Sequence, residues 1–380
     1  MRSATPPDAG LSEPRHPHSG TPPEPAPQAR IQKGSPFWAK GARTISTQIA
    51  IIVFLAATVV VTLAGIRIIS TADRLADRTG LGEAVFGGVL LGASTSLSGI
   101  VTSLTAASAG LASLAVSNAV GGIAAQTAFL VIADLIYKRV NLEHAAADAN
   151  NMLMAAMLVL LMSLPLAANY APEFTLFGVH PVSLLLFAVY FFGTRAAVQL
   201  RDRPMWRPRQ TDETREDEPD EEEAQIHSLP VMIAIFVGLS LVLAGCGFAI
   251  AQSGAVISSN LGISQTIVGA LMTAVATSLP ELVTTLAAVR RGALQLAVGG
   301  IIGGNTFDVL FLSLSDIAYR DGSIYHAMTQ ADGLMLIGAT VITTILLMGL
   351  ILRERRGVGF EGLGILVTYF GLMALQVSIN

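Results

Sequence analysis

Ten apolar runs of about 20 residues, parted by short charged breaks, constrain this chain more than any other feature of its 380 residues. A run of that length crosses ~30 Å of hydrocarbon as a helix rising ~1.5 Å per residue. The runs lie at about 46–66, 81–104, 110–136, 151–170, 181–200, 229–252, 263–289, 294–319, 333–351 and 360–378. Composition agrees, with 52% hydrophobic and only 13% charged residues and a mean hydropathy of +0.61. The expected class is an all-α integral membrane protein with ten transmembrane helices. The single cysteine, Cys246, rules out an intramolecular disulfide. The net charge of −4 averages polar segments with membrane runs and points to no partner.

Two segments differ in kind. Residues 1–45 hold nine of the 17 prolines and little that could build a core, so they read as a disordered Pro-rich tail. No signal peptide is expected, because no short apolar region with a small-residue cleavage site opens the chain. Residues 201–227 run from the basic "RDRPMWRPR" into the acidic "DETREDEPDEEE" and read as a solvated, charged linker.

A shift of 182 residues carries the first five runs onto the last five. "TSLPELVTTLAAVRRGALQLAVGGIIGGNTFD" from Thr277 aligns without a gap on "TSLSGIVTSLTAASAGLASLAVSNAVGGIAAQ" from Thr95, with 13 identities that include hydroxyl residues and glycines. The chain therefore divides into a five-helix repeat over 46–200 and a second over 228–380. Five is odd, so the second repeat enters the membrane from the opposite side. Inverted repeats of this kind are a transporter architecture with the substrate site near the midplane. Lys and Arg concentrate in the loops of one side, including the linker, while the other side's connecting loops hold only Arg320. That bias places the linker in the cytoplasm and both termini outside, although the basic residues just before the first run pull against it. The expected location is the plasma membrane of a prokaryote.

The two copies differ in charge. Glu281 and Asp308 stand where the first copy has Gly99 and Gln126. A carboxylate inside a membrane run costs at least ~2.5–3.5 kcal/mol and needs a cation, a proton or an aqueous cavity. Pro280 removes a backbone hydrogen bond beside Glu281 and kinks the helix, freeing carbonyl oxygens. Thr277 and Ser278 share its helical face. Carboxylates, hydroxyls and carbonyls together suit hard cations.

These motifs resemble the second signature repeat of the calcium/cation antiporter superfamily, which contains the sodium/calcium exchangers. The resemblance covers everything after the tail. It implies ten helices in two inverted halves with a cytoplasmic loop between them. By position it implies that Glu281, Thr277, Ser278 and Asp308 bind the transported ion. The first copy departs from the family pattern: Ser98-Gly99 replaces the proline and glutamate, Gln126 closes the motif, and Ile123 replaces an asparagine. Thr95, Ser96 and Gln126 are then expected to add neutral ligands. The function implied is exchange of Ca2+, or another cation, against Na+ or H+, with a lopsided site that is weaker for calcium than a four-sided one. No cofactor and no nucleic-acid partner is expected, only the bilayer and inorganic cations.

Other features have plainer readings. Thr102 and Thr284 are expected to bond carbonyls one turn back. The glycine pairs 121–122 and 303–304 are expected to be packing contacts. Asp134 with Lys138, and Asp316 with Arg320, have the spacing of i,i+4 ion pairs. Glu83 suits a helix N-terminus. An enzyme is disfavoured, because all six histidines fall in the tail, the loops or span ends, leaving the serine-rich "GASTSLSG" without a base. A transport-inactive, exchanger-like membrane scaffold or sensor stays open as the alternative, since the first repeat has lost its carboxylate.

Overall fold

A computed structural model describes residues 45–79, 93–137, 141–202, 228–352 and 359–379. The tail, the charged linker, Glu83 and Lys138 lie outside the described residues. The described chain is helical: α1 Thr47–Thr79, α2 Leu97–Ser108, α3 Ala112–Tyr137, α4 Ala149–Tyr170 and α5 Pro181–Asp202 precede the linker. After it come α6 Leu229–Leu261, α7 Gln265–Arg291, α8 Leu294–Ala318, α9 Gln330–Leu352 and α10 Phe360–Ile379. Among the described residues nine helices are long and apolar enough to cross a membrane. The tenth, α2, is described over 12 residues, and most of the polypeptide expected to begin it, up to residue 92, lies outside the described part.

Helices α1 and α6 pack on each other, and each crosses to the second helix of the other half: α1 onto α7, α6 onto α2. Glycines make both crossings possible. A Cβ on Gly65 would come within 2.5 Å of Pro280 Cγ, and one on Gly247 would collide with the Ser98 carbonyl. Gly65 and Gly247 are repeat counterparts, as are Ser98 and Pro280, so one close approach is built twice. Thr102 reinforces the second crossing, its Oγ1 lying 2.7 Å from the Ser98 carbonyl and 3.0 Å from that of Gly247.

Helix α3 is buried along most of its length and lies at the centre, against α2, α7, α8, α9 and α10. Exposed apolar side chains crowd α1, α6 and α10, where Ile52, Leu63, Leu241, Leu363 and Phe370 are more than 60% exposed. That distribution is normal for a chain whose solvent is hydrocarbon.

Asp134 and Asp316, also counterparts, do the same work. The Leu142 amide donates to Asp134 Oδ1 at 3.0 Å, and the Ile324 amide to Asp316 Oδ1 at 3.0 Å, each eight residues further along the chain. Asp316 Oδ2 also accepts from the His180 amide and from Ser183 Oγ, both at 2.7 Å. The expected pair with Arg320 is therefore corrected: Asp316 is fully buried and holds loop backbone, while Arg320 is exposed. Backbone amides entering a buried turn need an acceptor more than a surface guanidinium does.

Candidate cation site

Helix α7 is irregular before it reaches the site. Val268–Thr273 winds as a π-helix, and regular α-helix resumes at Ala274 and runs through Pro280 to Arg291. A wider turn thus precedes Pro280, the residue expected to kink the helix. There, Gly269 sits against the Ser117 side chain and Gly121 against the Ala270 backbone, so tight contact with α3 accompanies the wider turn. Helix α8 is interrupted at Val309, directly after Asp308.

These helices enclose a small cavity. Ser96, Gln126, Thr277, Ser278, Glu281 and Asp308 line it, six of the seven residues expected at the site. The seventh, Thr95, hydrogen-bonds Glu281 through its side chain. Room for the centre of a water-sized sphere amounts to about 10 Å3, space for about one water or one bare cation. Glu281 is 8% exposed and Asp308 2%, and among the described residues none that lines the cavity is basic.

Both oxygens of Asp308 are held by the first repeat. Ser96 Oγ donates to Oδ1 at 2.5 Å, and Gln126 Nε2 donates to Oδ2 at 2.8 Å. The same Nε2 reaches Ser278 Oγ at 3.2 Å. An ionised carboxylate accepts only, so the amide must turn its nitrogen to Asp308 and its oxygen elsewhere. Gln126 Oε1 and Glu281 Oε2 are buried without a hydrogen-bond partner. Two buried acceptors left free beside a one-ion cavity are the donor atoms a hard cation takes.

Thr277 and Thr284 turn their hydroxyl hydrogens back to the helix, Thr277 to the Thr273 carbonyl and Thr284 to that of Pro280, both at 3.0 Å. The Thr277 oxygen keeps an acceptor lone pair at the cavity wall. Of the glycine pairs, Gly121 is a packing contact, whereas Gly122 lines the cavity. Gly303 faces open space, which corrects the packing role expected for it, whereas Gly304 has Gln126 Oε1 of α3 as its neighbour.

Asn118 also lines the cavity and was not singled out by the sequence reading. Its Nδ2 donates to Ser103 Oγ at 2.9 Å and to the Gly99 carbonyl at 3.2 Å, and its Oδ1 accepts from Thr273 Oγ1 at 2.7 Å. It clamps α2 and α7 to α3 around the site. Its only sequence signal is an amide inside a run of small and apolar residues.

The described helices of the two halves pack around a buried cavity lined by Glu281 and Asp308. A family model described as sodium/calcium exchanger protein matches residues 49–195 and again 231–378, and the chain belongs to that family. CaxA of Alkalimonas amylolytica is 32% identical over 145 residues, which are 38% of this chain and 44% of that one. The chain spans less than half the length of the curated relatives it matches. In fold it is similar to the H+/Ca2+ exchanger CAX, with TM-score 0.64, 12% identity, and 87% and 86% of the two chains covered. It is also similar to the sodium-calcium exchanger NCX_Mj, with TM-score 0.55, 17% identity, and 86% and 98% covered.

Proposed function

We propose that the chain is a secondary active antiporter that exchanges Ca2+, or another hard cation, against Na+ or H+ through a midplane site centred on Glu281 and Asp308. The observation that carries this reading is the cavity itself. Two buried carboxylates of the second repeat face neutral donors of the first, and Glu281 Oε2 and Gln126 Oε1 are left without partners. Thr277, Ser278, Thr95 and Ser96 complete the oxygen shell as neutral ligands or as holders of the carboxylates. A one-ion cavity shared by two repeats also supports alternating access, in which one repeat rocks against the other around a fixed site. In this reading 46–200 and 228–380 are the two exchanger repeats, and the linker 201–227 faces the cytoplasm.

The test is uptake of labelled Ca2+ and Na+ into proteoliposomes under imposed sodium or proton gradients. Uptake driven by one of these gradients supports the antiporter and identifies the coupling ion. Absence of flux under every gradient supports the scaffold reading instead.

A further inference from the structure

We infer that Phe311 is the specificity-determining residue of the site, because its ring occupies the place of a missing carboxylate and limits the site to one cation at a time. The 182-residue repeat makes Gly99 the counterpart of Glu281. A Cβ on Gly99 would stand 2.8 Å from Phe311 Cε2 and 3.3 Å from Cζ. Real side chains do not approach so closely, and a glutamate would need to place three more heavy-atom shells beyond that carbon. The ring and a carboxylate at this position exclude each other.

The ring is held in place. Phe311 is 4% exposed and meets Phe307 edge-on at 6.4 Å between centroids, while Phe307 meets Tyr190 edge-on at 5.9 Å. Such T-shaped pairs favour one packing arrangement. At the head of this aromatic file the Phe311 ring itself lines the cavity, and the ring offers it no oxygen.

Charge and space then agree. Among the described residues Glu281 and Asp308 are the only acidic ones lining the cavity, and both oxygens of Asp308 already accept hydrogen bonds from Ser96 and Gln126. Glu281 and Gln126 each keep one unpartnered acceptor, and the volume is that of about one ion. A second cation would have no carboxylate of its own and would sit against the Phe311 ring. The substrate class that follows is a single hard cation, Ca2+ or Na+, each displacing the other one for one.

For transport this inference rests on the antiporter reading, so its test is equilibrium binding. Ca2+ and Na+ are titrated separately into the purified full chain by calorimetry, and Na+ is then used to displace bound Ca2+. One Ca2+ per chain and displacement with a Hill coefficient near 1 are expected, both lost in Glu281→Gln. Phe311→Ala alone keeps one Ca2+ per chain, because the ring acts by excluding a carboxylate and its removal adds none. Gly99→Glu loses binding, and Gly99→Glu combined with Phe311→Ala regains it, with a steeper Na+ displacement and about tenfold tighter Ca2+ from the added charged ligand. Size-exclusion profiles confirm that each variant is folded; a misfolded Gly99→Glu is the same steric clash, and the double variant still decides. Displacement by two or more Na+ in the unaltered chain overturns the inference. So does a Gly99→Glu variant that binds as the double variant does, or an unaltered chain that binds neither ion. One-ion binding without flux leaves the inference standing and contradicts the antiporter reading alone.

Discussion

Gln126 Nε2 lies 2.8 Å from Asp308 Oδ2, and these two residues are each other's counterparts across the repeat. The hydrogen bond joins two equivalent positions of two copies, one carrying a carboxylate and the other an amide. The surrounding contacts repeat the relationship, since Ser96 serves Asp308 as its counterpart Ser278 serves Gln126. Two carboxylates at this distance would repel. One acid and one amide hold the halves together.

Gln126→Ala is expected to leave Asp308 Oδ2 buried without a donor. The loss should lower stability by about 1–3 kcal/mol, the cost of an unsatisfied buried polar group. Thermal unfolding of the detergent-solubilised variant checks it, and an unchanged midpoint contradicts it.

The two serines should differ despite their equivalence. Ser96 donates to a carboxylate at 2.5 Å, and Ser278 accepts from an amide at 3.2 Å. Ser96→Ala is expected to cost about 1.5–3 kcal/mol and Ser278→Ala about 0.5–1.5, as charge-assisted bonds are roughly twice as strong. Parallel melting curves of the two variants check the order.

Asp316→Asn should unsettle the fold and leave the ion alone. Its carboxylate accepts from two backbone amides and Ser183, and an asparagine NH2 would face one of those donors. A lower unfolding midpoint with an unchanged ratio of Ca2+ to Na+ affinity is expected. A shift in that ratio would place Asp316 in the ion path.

Glu143 lies in the one-turn helix Leu142–Ala145, outside the spans, and is 2% exposed. Burial pushes its carboxyl up from 4.5 to about 8, with the Asp134 and Glu361 carboxylates adding to the rise and a backbone hydrogen bond opposing it. A group whose pKa is raised on folding favours the fold below its unfolded pKa. That contribution is lost as pH rises from about 4.5 through about 8. Glu143→Gln removes the dependence, so the variant should unfold later than the parent at pH 9 and similarly at pH 4. Parallel pH slopes for the two proteins would contradict this.

Most of the fold was legible in the sequence because a membrane span announces itself by length. α3, α4, α5, α8 and α10 begin and end within about two residues of the apolar runs that predict them. Helices α1 and α6 run on to Thr79 and Leu261, well past their runs, because a helix can continue after its apolar stretch ends. Of the seven residues the repeat comparison singled out, six line the cavity and Thr95 bonds to Glu281, while Asn118 and Phe311 line it without having been singled out. What it could not supply was set by contacts between distant residues. The π-helix in α7 accompanies the approach of Ser117 to Gly269, and the clamp at Asn118 needs Thr273 and Ser103 brought to it. The Phe311 ring meets Gly99 across more than 200 residues of chain.

The central claim is that Glu281 carries the transported cation, and the most direct measurement compares gradient-driven Ca2+ uptake by the parent chain and by Glu281→Gln in the same proteoliposomes. The substitution keeps the shape and the Thr95 contact while removing the charge. Gradient-driven uptake by the parent and its loss in a variant that elutes and melts as a folded protein is the result predicted. Equal uptake by both would contradict it.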